Sequence, residues 1–566
     1  MSRPLRRLLA CLALGLCGTL PVLGELLELP PFEPDPAQVA YLQRSITLLN
    51  SGTPTHRPAF RLLFYGNSHV TRPWVYHLAN DLQKAFPYVG FYFTNKALVA
   101  FDTAKLTRTA VADIGQWQPD LVVVTSYGAF GEPDLGEKND FIPFYRKLRE
   151  LTTADVLVFP SHPIYPEEAN EPSVPIDDPD LNPWYPDQDP IYTLYYVSLP
   201  KWANASGHAW ANIRTPWKEY LRMHGMATTD LLLEDQWHTN DDGGEFMRIL
   251  LRAHLLGRTF PTPMDPWNNA RIRTATVGSE IHWDANALDL RFVGNRVDVI
   301  YDPESPSDSP TFSVQVDGKD PKDIPELYGF ERASSSYGVV YPMPGVTEVQ
   351  SEALLQEEKW LLHINSIDSS SGVVGYSVTG TKTGFDGSGT TRETFVSNSR
   401  RIRLQPEVVT AWWAFSQTQK TPPEDFNVEW NVIRNSMSTF KPVPPVSPIL
   451  ESRETLFLGT TDPVEHRLKI TPVAGTARGI RAIRVYSPSG AALVADAGTT
   501  LQVSLSGDYV TLSWPVSSGG GRIETAASPS ASVPWKPVAG VPLVQGNRYV
   551  ISLPVLDESA VYRWRN

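Results

Sequence analysis

The chain has 566 residues, 42% hydrophobic and 20% charged, a make-up that fits a globular protein of roughly two to four domains and excludes a single core. Its 50 prolines and 38 glycines argue for many turns and against a mainly helical protein. A net charge of −13 disfavours nucleic acid or an anionic membrane as the main partner.

The N-terminus reads as an export signal. Arg3, Arg6 and Arg7 form a basic start, Leu8 to Leu16 an apolar core, and Val22-Leu23-Gly24 a stretch suited to cleavage. Residues 1–24 are the expected signal peptide. Neither this run nor any later one is long enough to span a bilayer, so no integral membrane segment is expected once the signal is removed. Both cysteines, Cys11 and Cys17, lie inside the signal. Leu8-Leu9-Ala10-Cys11 leaves almost no apolar core before the cysteine, which argues against lipid attachment. A cysteine-free exported chain points to a bacterial periplasmic or secreted protein.

From about residue 60 to 255 strands and helices alternate. Phe60 to Tyr65 is a buried strand that stops at Gly66. Trp74, Leu78, Leu82 and Phe86 repeat at helical spacing, with Thr71 and Pro73 at the start of that helix. Phe91 to Phe93 is a second strand, Ala104 to Ile114 a helix, and Asp120 to Thr125 a fully buried strand. Phe141 to Leu151 is a helix, Asp155 to Phe159 another buried strand, and Glu245 to Leu256 an amphipathic helix. This rhythm predicts a parallel sheet covered on both faces. Residues 160–220, dense in proline, tryptophan and tyrosine, break it; they read either as a substrate wall or as a packed surface excursion.

After Pro261 the texture changes to short alternating strands. Leu288 to Phe292, Phe312 to Val316 before Asp317-Gly318, and Arg467 to Ile470 are examples. Residues 270–490 are expected to form a β-sandwich or jelly roll, and Pro442 to Pro448 is either a stiff crossing within it or a boundary. Residues 491–566, with Leu512 to Pro515 and Val561 to Arg565, read as a separate small β domain.

Two motifs carry chemistry. Gly66-Asn67-Ser68-His69 places a serine where a strand hands over to a helix, beside unpaired backbone N–H groups. Asp235-Gln236-Trp237-His238 sets an acid three residues before a histidine, the one such pairing among 11 histidines. A serine hydroxyl needs a base, and the base an orienting acid; Ser68, His238 and Asp235 supply the three roles. No His/Cys/Asp cluster has zinc-like spacing, so no metal or cofactor is expected.

The chain resembles the SGNH/GDSL hydrolases over roughly residues 60–256. Gly66-Asn67-Ser68-His69 is similar to the family's Gly-Asp-Ser-Leu block, with asparagine in place of aspartate. Asp235-Gln236-Trp237-His238-Thr239-Asn240 is similar to its Asp-x-x-His-x-Asn block. The resemblance implies an α/β flavodoxin-like three-layer fold over residues 25–265, with Ser68 as nucleophile, His238 as base and Asp235 as its acid. Two blocks depart from the pattern. Asn95 to Phe101 lacks the glycine whose N–H serves the oxyanion hole, so Ser68 with Val99 or Ala100 is expected to donate there. Ser126-Tyr127-Gly128-Ala129-Phe130 has phenylalanine where an asparagine donor is expected; His69, Ser126 and His162 are the nearest replacements. The terminal unit resembles fibronectin type III or immunoglobulin-like domains.

The expected function is a secreted serine esterase acting on an ester substrate such as an acylated polysaccharide. Trp184, Tyr185, Trp202, Trp210, Trp217 and Trp237 are candidates to stack on sugar rings, although for any one of them a core or surface packing role is the more common use of such a residue. The competing class is a catalytically impaired glycan-binding or adhesion protein.

Overall fold

The computed structural model describes residues 26–127, 137–164, 194–260, 264–304, 308–335, 345–368, 370–412, 426–444, 451, 453–459, 465–488, 501–506, 509–515, 522–526, 535–538, 542–545, 548–554 and 561–565. The expected signal peptide and cysteines lie outside them. No described helix is long and apolar enough to cross a membrane.

Five strands, β1 (Ala59–Gly66), β2 (Gly90–Asn95), β3 (Leu121–Thr125), β4 (Asp155–Val158) and β5 (Ala209–Trp210), form one sheet in the order β2-β1-β3-β4-β5, and every pairing is parallel. This is the flavodoxin-like order. Alternation along β1 divides its side chains between two cores. Leu62 and Phe64 face helices α1 (Pro36–Ala40), α2 (Gln43–Asn50) and α3 (Trp74–Ala85). Leu63 and Tyr65 face α4 (Thr103–Ala110), α5 (Glu137–Leu151) and α6 (Leu199–Ala205). Helices α7 (Arg214–His224) and α8 (Asp241–Ala253) complete the first layer. The expected three-layer α/β fold is therefore present.

Residues 194–224 differ from the sequence reading. Their described part is regular: α6, β5 and α7 follow in succession. Trp217, Tyr220 and Leu221 recur at helical spacing on the buried face of α7, a period that the surrounding prolines and aromatics hid. Helices α1 and α2, ahead of the first strand, were also not read from the sequence.

Downstream, strands 272–276, 296–301, 453–458 and 480–486 form one antiparallel sheet, and 283–284, 287–293, 312–316, 439–440 and 465–472 another. They share one apolar core, which includes Leu290, Val299, Val314 and Ile483. Between the strands at 312–316 and 439–440, residues 328–434 contribute a further, six-stranded sheet. Its Trp360, Leu362, Tyr376 and Trp430 belong to the same apolar cluster as the α4–α5 face. Polar pins cross there: Arg108 Nε donates to Thr347 Oγ1 at 3.1 Å, and Arg332 reaches Asp113 at 3.2 Å. Trp267, between α8 and the first of these strands, lies under the guanidinium groups of Arg44, Arg453 and Arg484 at 5.1, 5.3 and 4.0 Å. The last unit has a four-stranded and a three-stranded antiparallel sheet around Leu512, Trp514, Ile523 and Ile551.

Candidate active site

Ligands of open α/β sheets bind at the carboxyl ends of the strands, where the strand order reverses. Here that point lies between β1 and β3, where Gly66 pairs with Thr125. Gly66 has φ +136°, and a Cβ on it would sit 2.1 Å from the Thr125 carbonyl oxygen. Only glycine allows β1 to turn this sharply against β3. Asn67 follows, fully buried; its side chain accepts the His69 N–H at 3.1 Å and caps the 3₁₀ turn Ser68–Thr71. Ser68 thus opens a helical turn at the rim of the sheet. Its N–H has no partner among the described residues, as expected of a helical first turn.

The turn after β2 is tied to the same rim. Leu98 N donates to Gly66 O at 2.8 Å. Asn95 Nδ2 donates to Val70 O at 2.8 Å while its Oδ1 accepts from Ala97 N at 3.0 Å. The N–H groups of Val99 and Ala100 are without hydrogen-bond partners among the described residues. Ala100 has φ +59°, a conformation that costs a non-glycine residue about 1–3 kcal/mol.

The second motif is a closed loop ahead of α8. Leu233 N donates to His238 O at 2.8 Å, and Asn240 N to Leu231 O at 3.1 Å. Asn240 caps α8 through Gly243 N at 2.9 Å and ties the loop back through Asp230 O at 2.8 Å. The last residue of the Asp-x-x-His-x-Asn block is thus a staple. Asp235 Oδ2 lies 2.7 Å from His238 Nδ1, and Oδ1 accepts the N–H groups of Trp237 and His238 at 2.9 and 3.0 Å. Burial pushes the Asp235 carboxyl up, but hydrogen bonds from the His238 N–H, its ring and the Trp237 N–H outweigh this and bring it down to about 2. The carboxylate is ionised at neutral pH and fixes the ring through Nδ1, which leaves Nε2 for chemistry.

The His238 ring packs 5.6 Å from the ring of His69, the residue after Ser68. His69 in turn meets His162 edge-on at 5.1 Å, and His162 stacks on Trp217 at 5.1 Å. This row of rings was not legible in the sequence, because His69, His162 and His238 come from three separate loops. No three described His, Cys, Asp or Glu side chains are grouped so as to hold a metal ion. Ser126 is buried at the end of β3.

The tryptophan candidates separate. Trp210 and Trp217 are core residues and are not sugar platforms; Trp202 is half-buried and stacks on Phe141. Trp237 is exposed beside the base. Trp184, Tyr185, Gly128, Ala129 and Phe130 lie outside the described residues. A cleft of about 700 Å³ runs between α4 with the turn that follows it and residues 325–355. None of Ser68, Asp235 and His238 lines it.

No protein-family model matches the chain, and no curated protein matches it. Solved structures do. The chain is similar to carbohydrate esterases of known structure. A two-domain esterase (CEX) active on acetylated mannans matches at 11% identity and TM-score 0.30, over 79% of this chain and 95% of that one. A catalytic mutant of Axe2, an acetylxylan esterase from Geobacillus stearothermophilus, matches at 16% identity and TM-score 0.28, over 35% of this chain and 95% of that one. A chain described as a GDSL-like lipase from Parabacteroides merdae matches at 12% identity and TM-score 0.28, over 36% and 98%. At such TM-scores the likeness assigns no residue a role.

Proposed function

We propose that the chain is a secreted serine esterase of the SGNH/GDSL type that removes O-acetyl groups from a carbohydrate, with residues 25–265 as its catalytic unit and 270–490 and 491–566 as accessory β units. The observation that carries this reading is the Asp235–His238 pair, 2.7 Å apart, held against the residue that follows a serine at a strand-to-helix turn. Ser68 Oγ attacks the ester carbonyl while His238 Nε2 takes its proton. His238 then returns the proton to the leaving sugar oxygen. Asp235 stabilises the imidazolium that forms between the two steps. The free N–H groups of Ser68 and of Val99 or Ala100 receive the oxyanion. Water deacylates the serine by the same route.

Trp237, exposed two residues after Asp235, favours a sugar as the alcohol, because a pyranose ring covers an indole face. The reaction is of the same class as those named for the two acetyl esterases above; the reading rests on the pair, not on them.

The test is hydrolysis of 4-nitrophenyl acetate and of acetylated xylan and mannan by the whole chain and by Ser68→Ala. Loss of roughly 10⁴-fold or more in kcat is expected of the variant, together with fluorophosphonate labelling of Ser68 in the wild type. Equal turnover by Ser68→Ala, or a folded wild type that neither labels nor hydrolyses, would overturn the proposal and leave a binding protein.

A further inference from the structure

The ring of His69 lies between two other imidazoles. On its inner side is His162, 1% exposed; on its outer side is His238, whose side chain is 27% exposed. The backbone of His69 is pinned from both directions, its N–H to Asn67 Oδ1 at 3.1 Å and its carbonyl by Trp74 Nε1 at 3.1 Å. The main chain that carries the ring, one residue after Ser68, is therefore held in place, and the ring itself packs between His162 at 5.1 Å and His238 at 5.6 Å.

Two ring nitrogens in this row are buried without a hydrogen-bond partner among the described residues: His69 Nδ1 and His162 Nε2. A buried N–H left unpaired is rarer than an under-satisfied acceptor. His162 Nδ1 lies 3.1 Å from Pro163 O and must be the donor there, because a carbonyl accepts. His162 Nε2 is then a lone pair. The same reasoning leaves His69 Nδ1 as a lone pair and puts the His69 proton on Nε2. Burial, followed by the neighbouring His162 and His238 rings, drives His69 well below the ordinary imidazole range. Burial brings His162 down to about 4. Both rings are neutral at neutral pH, so each carries a single N–H.

We propose that His69 donates its Nε2–H to the carbonyl oxygen of the ester as it becomes an oxyanion. This is the side-chain donation that the stretch Ser126-Tyr127-Gly128-Ala129-Phe130 lacks, and His162, itself stacked on Trp217, backs the ring. A neutral imidazole is suited to the task, because it polarises a carbonyl without competing for the proton that His238 must carry. The inference rests on the serine-esterase reading and adds a catalytic group to it.

The experiment compares wild type with His69→Leu and His69→Gln on 4-nitrophenyl acetate, with kcat and KM separated and folding checked by thermal melting. His69→Leu is expected to lose about 100- to 1000-fold in kcat with little change in KM, and His69→Gln, which keeps an N–H donor, to recover at least about 10-fold of that loss. A folded His69→Leu within about 3-fold of wild type, or a glutamine variant no better than leucine, overturns the inference. Should His69→Leu fail to fold, ¹⁵N-histidine spectra of the wild type decide. Phosphonylation of Ser68 should move the His69 Nε2–H proton downfield, and an unmoved signal overturns the inference. An inactive Ser68→Ala beside a fully active His69→Leu sinks this inference alone. A wild type that neither labels nor hydrolyses sinks both.

Discussion

Asp235 holds His238 twice: its Oδ1 accepts the His238 main-chain N–H at 3.0 Å and its Oδ2 takes the ring at Nδ1, 2.7 Å away. One carboxylate thus fixes the loop and the tautomer together, and Gln236 adopts φ +61° to let the chain turn between them. Asp235→Asn removes the charge and allows the wrong tautomer. We expect kcat on 4-nitrophenyl acetate to fall by roughly 10⁴-fold, with the thermal midpoint nearly unchanged because the site is partly exposed. Because the Asp235 carboxyl sits at about 2, it stays ionised throughout the working range. The wild-type pH–rate profile should therefore show no limb from the carboxylate above about pH 3.

Gly66 is required by geometry. Any side chain there meets the Thr125 carbonyl at 2.1 Å, in a backbone conformation that disfavours a Cβ. Gly66→Ala should destabilise the chain by roughly 2–5 kcal/mol, read as a lowered denaturant midpoint. It should also lower activity beyond the loss of folded protein, since the turn carrying Ser68 must shift. An alanine variant with wild-type midpoint and kcat would show that β1 and β3 are not so close.

These two motifs were legible in the sequence because each is short and local. A strand ending at glycine, and an acid three residues before a histidine, predict their own geometry. The parallel sheet was legible because β1, β3 and β4 are apolar runs of strand length. The six-stranded sheet of residues 328–434 was not separable from its flanks, since alternation marks a strand and says nothing of its partner. The contact of His69 with His162 and His238 was hidden for the same reason: three loops meet only after the sheet orders them. Trp217 could be read either as a sugar candidate or as a packing residue, because a core indole and an exposed one look alike in a sequence; it is core.

Asp113, fully buried, sits where the α/β unit meets the six-stranded sheet. Burial pushes its carboxyl up to about 6 even though Arg332 pulls it down. The folded state therefore binds this proton more tightly than the unfolded chain does. The stabilisation is complete below about pH 4 and is lost as pH rises through about 6. Between those limits wild type should lose up to ~3 kcal/mol from this group. Asp113→Asn, which cannot ionise, should flatten that part of the curve. Thermal midpoints of both proteins at pH 4, 5, 6 and 7 measure the difference, and parallel curves would contradict the expectation.

Trp237 separates binding of a sugar from chemistry on an acyl group. Its indole is exposed, while its main-chain N–H serves Asp235 at 2.9 Å and survives any substitution except proline. Trp237→Ala should leave folding and the Asp235–His238 pair intact. On 4-nitrophenyl acetate, which offers no sugar ring to stack, kcat/KM should stay within about 2-fold of wild type. On an acetylated oligosaccharide KM should rise by about 3- to 10-fold, the equivalent of roughly 0.5–1.5 kcal/mol for a lost aromatic contact. Equal effects on the two substrates would mean that the indole positions the base, and no effect on either would remove the argument for a carbohydrate alcohol while leaving the esterase reading untouched.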